Sequence, residues 1–343
     1  MIRESNRQNV WALGALFFFG SLCLSFAQAT AEPAQRAVPP AVPGEVLLRV
    51  EEGLTTDEVK AIAASAEASV KEQLTSWGLY LLKFDEKIPL SEIIKKLEAH
   101  PQVSYAEPNA LFEAFAIGSS GSGSSTTTSS NAPVVVAVID QGVQLDHSSF
   151  AGGLVAGYDF FSNDANPSSE TSSESHGTMV TSRVLEGAGD ANVVVMPIRV
   201  GSGRFLSTAA ILKAIDYAAN NGAKVINMSF GITVHPFYEQ FYLRTYFRAM
   251  NEAVQRAAER GVLLVAAAGN YGLNWKSFPA AFENVVSVAA SDNNGTKASF
   301  SNYGSTVDFT AAGVNVGVAT TGNQTTTASG TSFSSPFVAG LAA

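Results

Sequence analysis

The chain is short of the residues that several common chemistries need. Its one cysteine, Cys23, lies inside an apolar N-terminal run, so the rest has no material for a disulfide framework, a thiol nucleophile or a cysteine-held zinc. Histidine occurs at His100, His147, His176 and His235 only, and none stands in an H-E-x-x-H or similar pairing, which disfavours a metallopeptidase. Positive charge is not in excess. The net charge is −9, which argues against a nucleic-acid partner. Only one stretch, Trp11 to Ala27, is long and apolar, and at about 17 residues it is at the lower limit for crossing a bilayer. Arg3 and Arg7 precede it and Ala27-Gln28-Ala29 closes it, the layout of a secretory signal cut after Ala29, with an uncleaved anchor as the rival reading. The expected compartment is therefore the medium, the periplasm or the cell surface, with no membrane contact once residues 1–29 are removed.

What is present is ample apolar content, 46 % of 343 residues, enough for about two domains. After a Pro/Ala-rich segment, 30–43, residues 44–116 read as a small α+β unit. Glu45–Val50 and Tyr80–Phe84 have strand character. Thr55-Thr56-Asp57-Glu58 is a capping box before a helix. Leu90, Ile93, Ile94 and Leu97 recur at helical spacing, and Val103–Asn109 closes the unit. Residues 117–131 are almost wholly Gly, Ser and Thr, the composition of a flexible linker open to proteolysis.

From 132 to 343 apolar strands alternate with amphipathic helices, which predicts an α/β domain with a mostly parallel sheet and helices on both faces. Within it, Pro197 predicts a break in the strand Val193–Val200 and hence an edge or bulged position. A helix is expected from Ser207-Thr208 to Asn221-Gly222. A single long helix is expected from Phe237 to Arg260, with Phe241, Tyr242, Tyr246 and Phe247 packing into the core.

Four polar residues stand where such elements end. The run Val134–Ile139 finishes in Asp140, placing a carboxylate at the C-terminal edge of a buried strand. His176 opens an apolar helix after a polar loop. Val262–Ala268 leads through Gly269 to Asn270, an amide able to donate a hydrogen bond. Ser332 follows a glycine turn at the start of the helix Phe333–Gly340, where free backbone N–H groups favour developing negative charge. Singly, each has an ordinary reading: a turn aspartate, a structural histidine, a turn asparagine, a capping serine. Jointly they supply a nucleophile, a base, a group to orient the base and an oxyanion donor.

The segments Val138-Ile139-Asp140-Gln141-Gly142, His176-Gly177-Thr178, Ile226-Asn227-Met228-Ser229-Phe230-Gly231, Ala267-Ala268-Gly269-Asn270 and Gly330-Thr331-Ser332 resemble those of the subtilase family of serine peptidases, in the order Asp, His, Ser known for subtilisin. The resemblance implies a secreted serine endopeptidase acting on polypeptides. Ser332 would be the nucleophile, His176 the general base and acid, Asp140 its orienting partner and Asn270 an oxyanion donor. It further implies that Ser229, Phe230, Gly231 and Ala267, Ala268, Gly269 line the substrate cleft as two strands, with Gly231 and Gly269 allowing close backbone approach.

Residues 44–116, with their closing Val-x-Tyr-x-Glu-Pro-Asn, resemble the inhibitory propeptide of the same family. That implies an autoprocessed zymogen whose own propeptide is an intramolecular inhibitor, cut between about Ala114 and Asn131. No cofactor is expected and the enzyme is expected to be a monomer. The family's tight calcium site calls for a carboxylate where this chain has Ser149, and its ligand loop has no counterpart at Leu185–Asp190, so no tight calcium site is expected; a weaker one stays open. The helix after Ser332 reaches only to Ala343, which suggests a truncated sequence. The rivals are a silent or misfolded binding module on the same fold and an esterase, the latter disfavoured because no Gly-x-Ser-x-Gly elbow surrounds Ser332.

Overall fold

Four strands and two helices build the first part of the chain. They are β1 (Ala41–Val50), α1 (Thr56–Ser65), β2 (Ala68–Thr75), β3 (Leu79–Phe84), α2 (Leu90–Glu98) and β4 (Val103–Ala114). Alternation along β1 decides the layering. Val46, Leu48 and Val50 join Val59, Ile62, Ile93 and Leu97 in a core beneath the two helices. Leu47, on the opposite face with Leu79, Leu81 and Trp77, belongs instead to the large core of the following domain. Thr55 caps α1 with the expected reciprocal bonds to Glu58. The computed structural model describes residues 39–115, 117–119, 132–169 and 175–343. The expected signal, most of the Pro/Ala-rich segment and most of the Gly/Ser/Thr segment lie outside these.

The remaining elements are β5 (Ile117–Ser119), β6 (Val134–Asp140), β7 (Tyr158–Asp159), α3 (His176–Ala188), β8 (Val193–Arg199), β9 (Gly201–Ser202), β10 (Phe205–Ser207), α4 (Thr208–Asn220), β11 (Val225–Met228), β12 (Phe230–Val234), α5 (Glu239–Thr245), α6 (Arg248–Glu259), β13 (Leu263–Ala267), β14 (Lys276–Phe278), β15 (Val285–Ser291), β16 (Phe309–Ala312), β17 (Val316–Thr320), β18 (Gln324–Ser329) and α7 (Thr331–Leu341). Strands β16, β15, β13, β11, β6, β8 and β7 form one sheet in that order, every pairing parallel. Val136 and Val138 of β6 meet Val180 and Val184 of α3 and Ala339 of α7. Ala137 and Ile139, pointing the other way, meet α4 and α6 through Ile211, Ile215, Ala253 and Val254. Helices cover both faces, as the sequence pattern predicts. Helices α3 and α7 cross closely: a Cβ on Gly340 would lie 2.0 Å from the Val184 carbonyl oxygen, a distance only glycine avoids.

Several local expectations are corrected. β8 is unbroken at Pro197, which pairs with Val138 of β6 one strand in from the sheet edge. Val195 sends its N–H outward to Gly153, so Pro197, two residues on, has its missing N–H on that same outer, irregular side and costs no ladder bond. The long helix expected over 237–260 is divided into a short 3-10 turn, α5 and α6. Tyr242, Tyr246 and Phe247 are buried as expected, but Phe241 is 46 % exposed. The Pro/Ala-rich segment already contains the start of β1 at Ala41. The expected linker begins as a paired strand, because β5 bonds antiparallel to β18 through backbone groups that Gly and Ser possess like any residue.

β4 joins the two parts of the molecule. Its first half pairs with β1, while its second half lies between β10 and β12, antiparallel to both. On the way it caps two helices of the second domain. The Glu107 carboxylate accepts the N–H groups of Arg248 and Ala249, each at 3.0 Å, and Asn109 Oδ1 accepts that of Ala209 at 2.9 Å.

Candidate active site

Asp140 is the last residue of β6 and 1 % exposed, so its carboxylate is desolvated and needs partners. It has them. Both carboxylate oxygens lie 2.9 Å from Nδ1 of His176, and Oδ1 also accepts the Gln141 N–H at 2.8 Å. His176 opens α3, and Gly177 behind it is pressed onto the Asp140 loop: a Cβ there would lie 2.2 Å from the Gly142 carbonyl oxygen. With Nδ1 donating to the carboxylate, the free nitrogen Nε2 is the acceptor. It is buried and has no hydrogen-bond partner.

Ser332, second residue of α7, is fully buried in this arrangement. Its hydroxyl donates to the Ser229 carbonyl at 3.1 Å and is thus turned away from His176 Nε2. The Ser229 hydroxyl in turn donates to the Ser332 carbonyl at 3.0 Å and accepts from Asn227 at 2.9 Å, which fixes the first turn of α7 against the end of β11. Phe333, next to the serine, has its ring centre 5.8 Å from that of His176, so the helix start and the imidazole are neighbours. Asn270 follows β13 through Ala268 and Gly269. Its Oδ1 accepts the Thr331 N–H, and its Nδ2 is buried without a partner.

The second half of β4 occupies the groove beside these residues. Ala114 pairs with Phe230 and Glu113 with Gly231. Ala114 also sends its N–H to the Arg204 carbonyl at 3.2 Å, and Phe115 sends its own to the Ser229 carbonyl at 3.1 Å, the same oxygen that holds the Ser332 hydroxyl. The Phe115 ring is 5 % exposed and lies over Gly231, where a Cβ would come within 2.8 Å of it. The Phe112 ring is buried against Phe230 and Phe247, at 5.9 and 6.0 Å between ring centres. After Phe115 the described chain resumes at Ile117, opposite Ser329 of β18, the strand that leads into the Ser332 turn.

The sequence-derived residues thus divide. Asp140 and His176 touch, Ser332 and Asn270 flank the same turn, and Ser229–Gly231 form one wall of the groove. The second wall is β10, a three-residue strand with no apolar period to announce it. Ala267 ends β13, and Ala268 and Gly269 carry the chain to Asn270. Gly269 is required by its φ of +100° and by crowding from Asn302 and Ser277. His147 is a structural histidine whose Nε2 lies 3.2 Å from the Gln324 carbonyl.

Residues 131–343 match the description of the subtilase family. The chain belongs to the subtilase family. Residues 27–109 match the fervidolysin N-terminal prodomain. The thermophilic serine proteinase of Bacillus sp. (strain AK1) is 34 % identical over 332 residues, covering 88 % of this chain and 77 % of that one. Thermitase of Thermoactinomyces vulgaris is 36 % identical over 216 residues, 60 % of this chain and 72 % of its own. Among solved structures, fervidolysin from Fervidobacterium pennivorans shares the fold, with a TM-score of 0.69 at 21 % identity over 88 % of this chain and 54 % of that one. This subtilase is accordingly a subtilisin-like serine peptidase with an N-terminal prodomain, and the prodomain match takes in most of the β1–β4 unit.

Where the family's tight calcium site calls for a carboxylate, this chain has the hydroxyl of Ser149. Ser149 stands in a 3-10 turn with its N–H on His147 Nδ1. Leu185–Ala188 simply finish α3.

Proposed function

We propose that this subtilase is a secreted, monomeric endopeptidase made as an inactive precursor that cuts its own chain after Phe115, and that it works without a tightly bound calcium ion. In the proposed step Ser332 Oγ attacks the Phe115 carbonyl carbon while its proton passes to His176 Nε2. Asp140 holds the imidazole in the right tautomer and balances its charge. The oxyanion is met by Asn270 Nδ2 and the Ser332 N–H. The intermediate collapses by breaking the bond to the Ala116 nitrogen, which takes the proton from His176. Water, deprotonated by the same histidine, then releases the Phe115 carboxylate and restores Ser332.

One observation carries this reading. A stretch of the chain itself lies in the groove as an added antiparallel strand between β10 and β12, with the Phe115 N–H on the carbonyl that also holds the Ser332 hydroxyl. Two buried polar atoms beside it, His176 Nε2 and Asn270 Nδ2, lack partners, as a base and an oxyanion donor awaiting the reaction would. After the cut, β4 stays paired and blocks the groove until it is removed. Substrates then bind as extended segments in its place.

The nucleophile is tested with a sulfonyl fluoride on the processed enzyme. Stoichiometric labelling of Ser332, found by peptide mass mapping and lost in a His176→Ala chain processed in trans by the active enzyme, is expected. Labelling elsewhere, or labelling indifferent to His176, would contradict the assignment.

A further inference from the structure

Glu113 is held by more than its backbone. It is two residues before Phe115 and paired to Gly231 of β12, so its side chain belongs to the groove-filling strand. Its Oε2 accepts from Arg204 Nη2 at 2.8 Å and from the Tyr271 hydroxyl at 3.3 Å. Both donors belong to segments that make further contacts with the same strand. Arg204 forms the β9–β10 turn, and its carbonyl bonds the Ala114 N–H of the same strand. Tyr271 directly follows the proposed oxyanion donor Asn270. Its N–H is tied to Asn302 Oδ1 at 3.0 Å, and its ring stands edge-on to Phe115, 6.5 Å between centres at 89°. Burial, and then the nearby Glu113 charge, push the Tyr271 phenol up to about 12, so it remains a donor throughout the working range of a serine peptidase. Both donors sit on elements that also position the backbone and the aromatic side chain of the strand, and both remain when β4 leaves.

We infer that Arg204 and Tyr271 form a carboxylate-binding subsite, so that the mature peptidase prefers polypeptide segments carrying an acidic residue two positions before an aromatic residue at the cut. The inference rests on the catalytic reading above and adds a substrate class to it. The Arg204 side chain is 67 % exposed and that of Glu113 25 %, so screening keeps the preference moderate. A bond from a half-buried, oriented phenol to a charged oxygen adds to it. The expected advantage of Glu over Gln is about three- to tenfold in kcat/KM.

The test uses the processed enzyme and quenched peptides with the sequence of residues 110–119, Glu113 being kept or replaced by Gln or Lys. The expected order is Glu, Gln, Lys, with the Glu advantage shrinking at about 0.5 M salt as the exposed charge is screened. Tyr271→Phe narrows the Glu/Gln ratio. A chain carrying both Arg204→Glu and Glu113→Lys, which keeps an ion pair in the precursor, yields an enzyme that prefers Lys to Glu. Equal rates for the three peptides with cleavage still after the phenylalanine would overturn the inference and leave the catalytic reading intact. A folded, processed enzyme that cuts none of them would contradict that reading, and the inference with it.

Discussion

Asn270 Oδ1 accepts both the backbone N–H and the hydroxyl of Thr331, each at 2.9 Å. A backbone N–H can only donate, so the amide oxygen must face Thr331, and the amide nitrogen is left buried and unbonded. The residue before the proposed nucleophile thus orients the donor proposed to stabilise its product. Asn270→Ala is expected to lower kcat by about 10²–10³ with KM little changed, a loss known for the corresponding donor of subtilisin and not one derived from this geometry. Steady-state kinetics on a short peptide decide it, and a KM effect alone would point to ground-state binding instead.

Glu107 makes the precursor sensitive to pH. Burial pushes its carboxyl up to about 7, against the Ala249 and Arg248 N–H groups and the Arg248 guanidinium, which pull it down. Arg248 Nε lies 3.5 Å away. The folded precursor therefore holds the proton more tightly than the unfolded chain, where a glutamate titrates near 4.5. The stabilisation is full below that value and is lost as the pH rises through about 7. In an uncut Ser332→Ala precursor the thermal midpoint is expected to fall by a few degrees between about pH 5 and 8. The same scan of Glu107→Gln/Ser332→Ala is expected to be flatter, and parallel curves would refute the assignment.

Asp140, His176, Asn270 and Ser332 were legible in the sequence because each sits where a strongly apolar element ends, and such elements announce themselves by local pattern. β1, β3, α1, α2 and the alternating core of the second domain were legible for the same reason. What was not legible depends on partners far along the chain. β4 continues past Asn109 to Ala114 where the start of β1, β10 and β12 pair with it. Helix α6 begins at Arg248 where the Glu107 carboxylate, 141 residues earlier, takes its first N–H. Backbone pairing likewise recruits Ile117–Ser119, whose composition suggests no structure.

Arg183 of α3 had no sequence signal. It is 2 % exposed, donates Nε to the Phe333 carbonyl at 3.0 Å, and stacks on Phe337 at 4.8 Å. Replacing it with methionine keeps much of the packing and removes the charged donor from that carbonyl, so Arg183→Met is expected to cost roughly 1–3 kcal/mol in a urea titration. A neutral result would show that the helix start is held by Ser229 and Thr331 alone.

The proposal that no calcium is tightly bound rests on Ser149, a hydroxyl where the family's site calls for a carboxylate. A chelator is expected to leave the thermal midpoint of the processed enzyme unchanged, whereas a tightly bound ion would stabilise the fold by mass action and its removal would lower the midpoint. A clear drop in scanning calorimetry would reveal a site built differently from the family's.

The most direct measurement is the N-terminal sequence and intact mass of the processed enzyme, with Ser332→Ala run beside it. A new terminus at Ala116 in the unmodified chain, with the variant left uncut, is the expected result. A terminus elsewhere, or the same cut in Ser332→Ala, would contradict the claim that this chain is cleaved after Phe115 by its own serine.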